Sequence, residues 1–126
     1  MNRVISVALA MIVAFAVLSR SGHATGVPAC DADNGGIKLP TGFCAAVVAD
    51  NVGHARHLLV APNGDLFVST QTGRGGAGGG IVALRDADGD GKLETKEHFG
   101  QGSATGIGLR NGYLYYATPT QIIRYK

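Results

Sequence analysis

Apolar residues in this chain fall into one long run near its start and then into short runs of four or five, divided by glycine, asparagine and aspartate. The first run, Val4 to Leu18, is uncharged and lies between Arg3 and Arg20. The small-residue stretch Ser21-Gly22-His23-Ala24 follows, with a Gly22-x-Ala24 cleavage pattern. A membrane-spanning helix needs about 20 apolar residues, whereas a charged start, a shorter apolar stretch and a small-residue site describe a secretory signal. Residues 1–24 are therefore expected to be a signal peptide, with an uncleaved anchor as the rival reading. The mature chain is expected in the periplasm or outside the cell, with no membrane contact after cleavage.

Beyond residue 24 the runs have the length of strands. They are Phe43 to Val48, His57 to Ala61, Leu66 to Thr70, Ile81 to Arg85, about 98–101, Thr105 to Leu109, 113–117 and Gln121 to Tyr125. Some, such as Leu58-Leu59-Val60-Ala61, are unbroken, which predicts cover on both faces. No helical pattern appears. Pro62-Asn63-Gly64-Asp65-Leu66-Phe67-Val68-Ser69 is echoed by Arg110-Asn111-Gly112-Tyr113-Leu114-Tyr115-Tyr116-Ala117, an offset of 48 residues. An Asn-Gly pair between apolar runs predicts a tight hairpin whose two central residues take positive φ. A period of roughly 40–50 residues with four short strands per unit is the pattern of β-propeller blades.

The fold class read from this pattern is all-β. It comprises about one and three-quarter blades of a six-bladed propeller, with a first blade at about 55–101 and a partial second at about 103–126. Propellers close with four or more blades, so the chain is expected to be a fragment of a longer ring. A self-contained β-sandwich of about 100 residues is the alternative; a sandwich leaves the echo unexplained.

Composition narrows the partners. Setting aside Arg3 and Arg20, 11 Lys and Arg become 9 against 9 Asp and Glu, and the net charge falls to zero. With no basic cluster and no interleaved aromatics, nucleic acid is not an expected partner. Cys30 and Cys44, in a chain bound for an oxidising compartment, are expected to form a disulfide that tethers an N-terminal arm, residues 25–42. Lipid modification of Cys30 is a rival that Pro28 and the distance from the apolar run oppose.

The strongest chemical motif is Asp86-Ala87-Asp88-Gly89-Asp90-Gly91-Lys92-Leu93-Glu94-Thr95-Lys96-Glu97. Acids stand at positions 1, 3 and 5, glycine at 6, and glutamate at 9 and 12, as in a calcium loop. Calcium takes six to eight hard oxygens at about 2.4 Å, so the chain must curl around it. Gly91 permits the curl, Lys92 offers a backbone carbonyl, and Glu94 or Glu97 completes the shell. A solvated acidic turn is the bland alternative. β-branched residues before the loop and glycines after it predict strands rather than helices on both sides, hence a structural ion in a β-hairpin.

Two other features are weaker. The run Gly75 to Gly80 lacks the helix start and Lys-Ser/Thr of a phosphate loop, and reads as a flexible or closely packed connection. His54, Arg56 and His57 form a polar cluster, but residues three apart on an extended segment face opposite sides, so the imidazoles are expected to diverge.

Five stretches, taken in order, resemble the opening of the soluble, pyrroloquinoline-quinone (PQQ)-dependent glucose/sorbosone dehydrogenase family. They are Leu39 to Phe43, His54 to Ser69, Asp86 to Gly91, Ala104 to Ile107 and Asn111 to Tyr115. The resemblance implies a six-bladed propeller that holds PQQ and calcium on one face and oxidises an aldose or aldehyde by hydride transfer to the quinone. It places the catalytic histidine in a later blade, in a setting this chain lacks, so no catalytic residue is assigned. The expected function is the N-terminal part of an exported PQQ-dependent sugar or aldehyde dehydrogenase, inactive alone. A calcium-stabilised, non-catalytic propeller module that binds polysaccharide or protein is the alternative.

Antiparallel strands reverse direction, so their connections alternate between the two ends of a sheet. The Asn63-Gly64 turn and the acidic loop then share one end. Residues 51–56, 70–80 and 102–105 share the other, where the resembled family binds cofactor and sugar. Arg56, Gln71 and Arg74 are the expected pocket-facing residues.

Overall fold

The computed structural model describes residues 28–74 and 78–126. The expected signal peptide and the first half of the glycine run lie outside the described residues. Strands β1 (His54–Val60), β2 (Leu66–Thr72), β3 (Gly78–Arg85) and β4 (Thr95–Phe99) form one antiparallel sheet in chain order. Strands β5 (Gly106–Arg110), β6 (Tyr113–Ala117) and β7 (Ile122–Tyr125) form a second. The described residues hold no α-helix and one 3-10 turn, Asn34–Gly36. The fold is all-β, and each sheet is a simple meander.

Alternation along the strands divides the first sheet into two faces. Leu59, Phe67, Ile81 and Phe99 point to one side, where they meet Ile107, Leu109, Leu114, Tyr116, Ile123 and Tyr125 of the second sheet. Phe99 packs edge-on against both Phe67 and Tyr125, with ring centroids 6.5 and 5.2 Å apart. The opposite face carries Val68, Val82 and Leu84, covered by Ala49, Val52 and Leu93. One side of the first sheet thus packs on the second sheet, and the other side packs partly under Ala49 and Val52, which lead into β1, and under Leu93 of the acidic loop.

The arm departs from expectation. Cys30 and Cys44 are joined, with Cα atoms 5.8 Å apart. Closing such a loop removes unfolded-state entropy, an effect of about 3 kcal/mol for ~15 residues. The expected lead strand from Phe43 to Val48, however, joins no ladder. Its polar groups are taken by the arm and the acidic loop instead. Asp31 N donates to Ala45 O, Ala45 N to Asn34 Oδ1, Val47 N to Asp31 Oδ2, and Leu93 N to Val48 O. A backbone already satisfied in this way has no row of free groups to offer a sheet edge.

Three further expectations shift. Leu58 and Val60 are 62% and 61% exposed, so β1 is covered on one face only. The fourth strand runs Thr95–Phe99 rather than 98–101, because the β3–β4 ladder continues to Arg85 opposite Thr95. Of the two Asn-Gly turns, only the second has both residues at positive φ, Asn111 at 51° and Gly112 at 75°. In the first, Gly64 alone is positive, at 90°. Pro62 fixes a negative φ there and selects a longer turn, in which Gly64 N donates to Ala61 O and Ala61 N to Asp65 O.

The second half of the glycine run is closely packed. Gly78–Gly80 belong to β3, and a Cβ at Gly80 would stand 2.8 Å from Phe99 O. The buried Tyr116 hydroxyl shares its proton between Gly80 O at 3.0 Å and Gly102 O at 2.7 Å, tying the second sheet to the start of β3 and to the connection after β4.

Candidate metal centre

The β3–β4 hairpin opens between Arg85 and Thr95, so residues 86–94 form its loop. Within it one oxygen from each of Asp86, Asp88, Asp90 and Glu94 lies within 4.8 Å of the others. Gly89 and Gly91, at φ 85° and 88°, supply the reversals that bring them together. The amides also turn inward. Gly89 N and Gly91 N donate to the two oxygens of Asp86, at 2.6 and 2.9 Å. Asp90 N donates to Asp88, Lys92 N to Asp90, and Ala87 N to Glu94. Partial burial pushes the Asp86 carboxyl up, but the amides of Gly91, Gly89, Asp88 and Asp90 together pull it further down, leaving it below the ordinary carboxylate range.

Four carboxylates held this close repel one another, and a cation between them removes that repulsion. The donor set contains hard oxygens and neither imidazole nor thiolate, which fits a hard divalent cation rather than zinc or copper. Asp86, Asp88, Asp90 and Glu94 would hold such an ion, with loop amides orienting their carboxylates.

Glu97 stands apart from this group. It lies in β4 opposite Ala83, beside a small cleft shared with Asp65 and Arg85, because the ladder extends further toward the loop than the sequence suggested. Lys92 is exposed, with its amide bonded to Asp90. Two links fix the loop to the sheet. Leu93 packs beneath Val82 and Leu84 while its amide holds Val48 O. Arg85, immediately before the loop, grips Asp65 through Nε and Nη2 at 2.6 and 2.5 Å. No local motif marks that pair. Its signal lay in the register: once Leu66 stands opposite Leu84, Asp65 and Arg85 become neighbours.

The connections alternate as the meander requires, so the 100–105 segment lies at the end of the sheets away from the acidic loop. A cleft of about 300 Å³ opens there, lined by Gln71, Ser103, Thr105 and Thr118 among others. Thr72 fixes its wall, with N and Oγ1 at 2.8 and 2.5 Å from Ser103 Oγ. Of the three pocket-facing candidates, Gln71 lines this cleft. Arg56 and Arg74 are exposed and lie outside its lining.

The two histidines do not diverge as their spacing predicts. A β-bulge inserts Arg56 between Ala55, opposite Thr70, and His57, opposite Ser69. His54 stands opposite Gln71. Gln71 and Ser69 are two apart on one strand, so the extra residue returns His54 and His57 to the same face by register. Both remain exposed.

No protein-family model, no curated protein and no solved structure matches this chain. Among the described residues, no helix is long and apolar enough to cross a membrane.

Proposed function

We propose that this chain is a calcium-clipped pair of propeller-type blades belonging to an exported, PQQ-dependent sugar or aldehyde dehydrogenase. The observation that carries the calcium part is the convergence of Asp86, Asp88, Asp90 and Glu94 in a loop between two antiparallel strands. Calcium is the hard divalent cation whose flexible coordination suits such a curled carboxylate loop. Its role is structural. The ion fixes the β3–β4 hairpin and, through the bond of Leu93 to Val48, the segment leading into β1 that covers part of the sheet.

Two consecutive meanders packed face to face support the blade reading over a sandwich, whose Greek-key connections pass strands between sheets. The dehydrogenase assignment rests on the ordered motifs from Leu39 to Tyr115. The polar cleft around Gln71 supports it by lying at the end opposite the calcium loop, where sugar hydroxyls and a quinone would be received. The residues here shape and orient such a site; the chain carries no assigned general base. Titration with calcium tests the first claim: one site per chain is expected, lost in Asp86→Asn/Asp90→Asn. Absence of calcium binding by the wild-type chain overturns it. The coding frame past Lys126 tests the second, through a histidine followed closely by arginine in a later blade-like repeat. Supplied with PQQ, calcium, an aldose and a dye acceptor, this chain alone is expected to give no turnover.

A further inference from the structure

The cystine sits where little else holds the chain. Between residues 28 and 52 no residue is fully buried, and Ala49 and Val52 lie on the first sheet only as half-buried cover. The order of this stretch rests on the Cys30–Cys44 bond and on three hydrogen bonds across the loop it closes. These run from Asp31 N to Ala45 O, from Ala45 N to Asn34 Oδ1 and from Val47 N to Asp31 Oδ2. Each hydrogen bond is a modest net contributor, because water competes for both partners. Closing the loop covalently removes far more of the unfolded chain's freedom, so the cystine is the main restraint.

The residues just past the cystine touch the acidic loop. Only Ala45, Ala46 and Val47 separate Cys44 from Val48, whose O accepts from Leu93 N at 2.8 Å, and Asp50 O accepts from Lys96 Nζ. Leu93 precedes Glu94, one of the four gathered carboxylates, and shares with Ala49 and Val52 the cover of Val68, Val82 and Leu84. It therefore belongs both to the loop and to the segment that the cystine anchors. Cys30 and Cys44 are themselves exposed, and an exposed cystine is open to thiol exchange. One thiolate of a dithiol attacks a sulfur, and the second thiol then resolves the mixed disulfide. Two electrons and two protons pass to the cysteines, which become thiols while the reductant becomes a disulfide.

We infer that Cys30–Cys44 is a redox-sensitive clasp on the acidic loop: reduction by a dithiol frees residues 45–48, releases Leu93 and weakens the loop's hold on its cation. The last step rests on the calcium reading above; the first two do not. Coupling of this kind is reciprocal, so the ion also makes the cystine harder to reduce. Amide hydrogen exchange on the exported protein, without added ion, tests the clasp. In Cys30→Ser/Cys44→Ser the protection of Leu93 N is expected to fall at least tenfold relative to the oxidised protein, with Val82 in the central strand β3 unchanged. Should the double variant not fold, wild type reduced in place with dithiothreitol and then reoxidised reads the same amides, and protection is expected to return. Equal protection of Leu93 with the cystine open and closed overturns the inference. So does an equal loss at Val82, which marks global unfolding rather than release. Calcium titration gives the second measurement, with binding at least fivefold weaker expected once the cystine is open; equal affinity in the two states overturns the coupling. If the oxidised wild type binds no calcium, the calcium reading fails instead, and exchange at Leu93 still decides the clasp.

Discussion

The two sheets begin from nearly the same sequence phrase, yet one is anchored on both faces and the other on one. In the first sheet, Pro62-Asn63-Gly64-Asp65 makes a longer turn, Asp65 holds Arg85, and the loop beyond Arg85 gathers four carboxylates. In the second, Asn111-Gly112 makes a tight turn with both residues at positive φ, and β7 carries no further partner strand among the described residues. The lesson is that a repeat fixes the hairpin, whereas the residues flanking it decide what the sheet can bind. A single proline before Asn-Gly changes the turn, and the aspartate after it secures the strand that leads into the acidic loop.

Glycine offers the sharpest way to break this comparison. Gly80→Ala in the first sheet places a Cβ 2.8 Å from Phe99 O at a φ of 114°. A loss of about 3 kcal/mol in urea-unfolding stability is expected, from forced positive φ and the backbone clash. Gly108→Ala in the second sheet meets nothing within 4 Å. Its expected effect is under about 1 kcal/mol, in the stabilising direction if the unfolded-state term dominates. Equal effects at the two sites would refute the close packing assigned to Gly80.

Calcium gives the next largest contrast, since only the first sheet carries the loop. At about a hundredfold excess over its Kd, the ion is expected to add about 2.7 kcal/mol of stability, read as a rise in Tm. Chelation should remove that increment, and Asp86→Asn/Asp90→Asn should remove the calcium dependence itself. A quinone- or sugar-binding constant measured on a longer form should barely move. A large change there would overturn the proposed separation of the ion from the substrate site.

Tyr116 joins the two regions, so it reports on their contact. Tyr116→Phe removes the donor to Gly102 O and one of the donors to Gly80 O, which keeps the Thr70 hydroxyl, and a loss of about 1–2 kcal/mol is expected. Burial raises the Tyr116 phenol above its ordinary value. The unfolded chain therefore ionises first as pH rises. The contribution is complete below about pH 10, the ordinary tyrosine value, and is lost as pH climbs through the higher folded value. Alkaline destabilisation should be shallower in Tyr116→Phe, measured by Tm against pH.

The smallest effect separates the two turns. Asn111→Ala forces a Cβ-bearing residue without asparagine's tolerance into the left-handed region, at about 1 kcal/mol. Asn63 has an ordinary φ and acts through its hydrogen bonds to Asp65, so Asn63→Ala is expected to lose less. Urea-unfolding midpoints of the two variants, compared side by side, check the order.

By itself the sequence determined the all-β class, the two hairpins, the disulfide and the acidic loop, since each depends on residues close in the chain or on a local pattern. Asn-Gly between apolar runs and alternating Asp-x-Asp-x-Asp-Gly are legible because the turn and the ion demand those residues at those spacings. Tertiary structure decided the rest. Glu97 left the acidic group because the β3–β4 ladder ran further than local pattern indicated, and a bulge at Arg56 reversed the relation of His54 to His57. Phe43 to Val48 had the composition of a strand, but its backbone bonded to Asp31, Asn34 and Leu93 first. Leu58 and Val60 read as buried, yet burial depends on what packs against a strand. Composition supplies the apolar surface; only the packing of one sheet on another determines which part of it is covered.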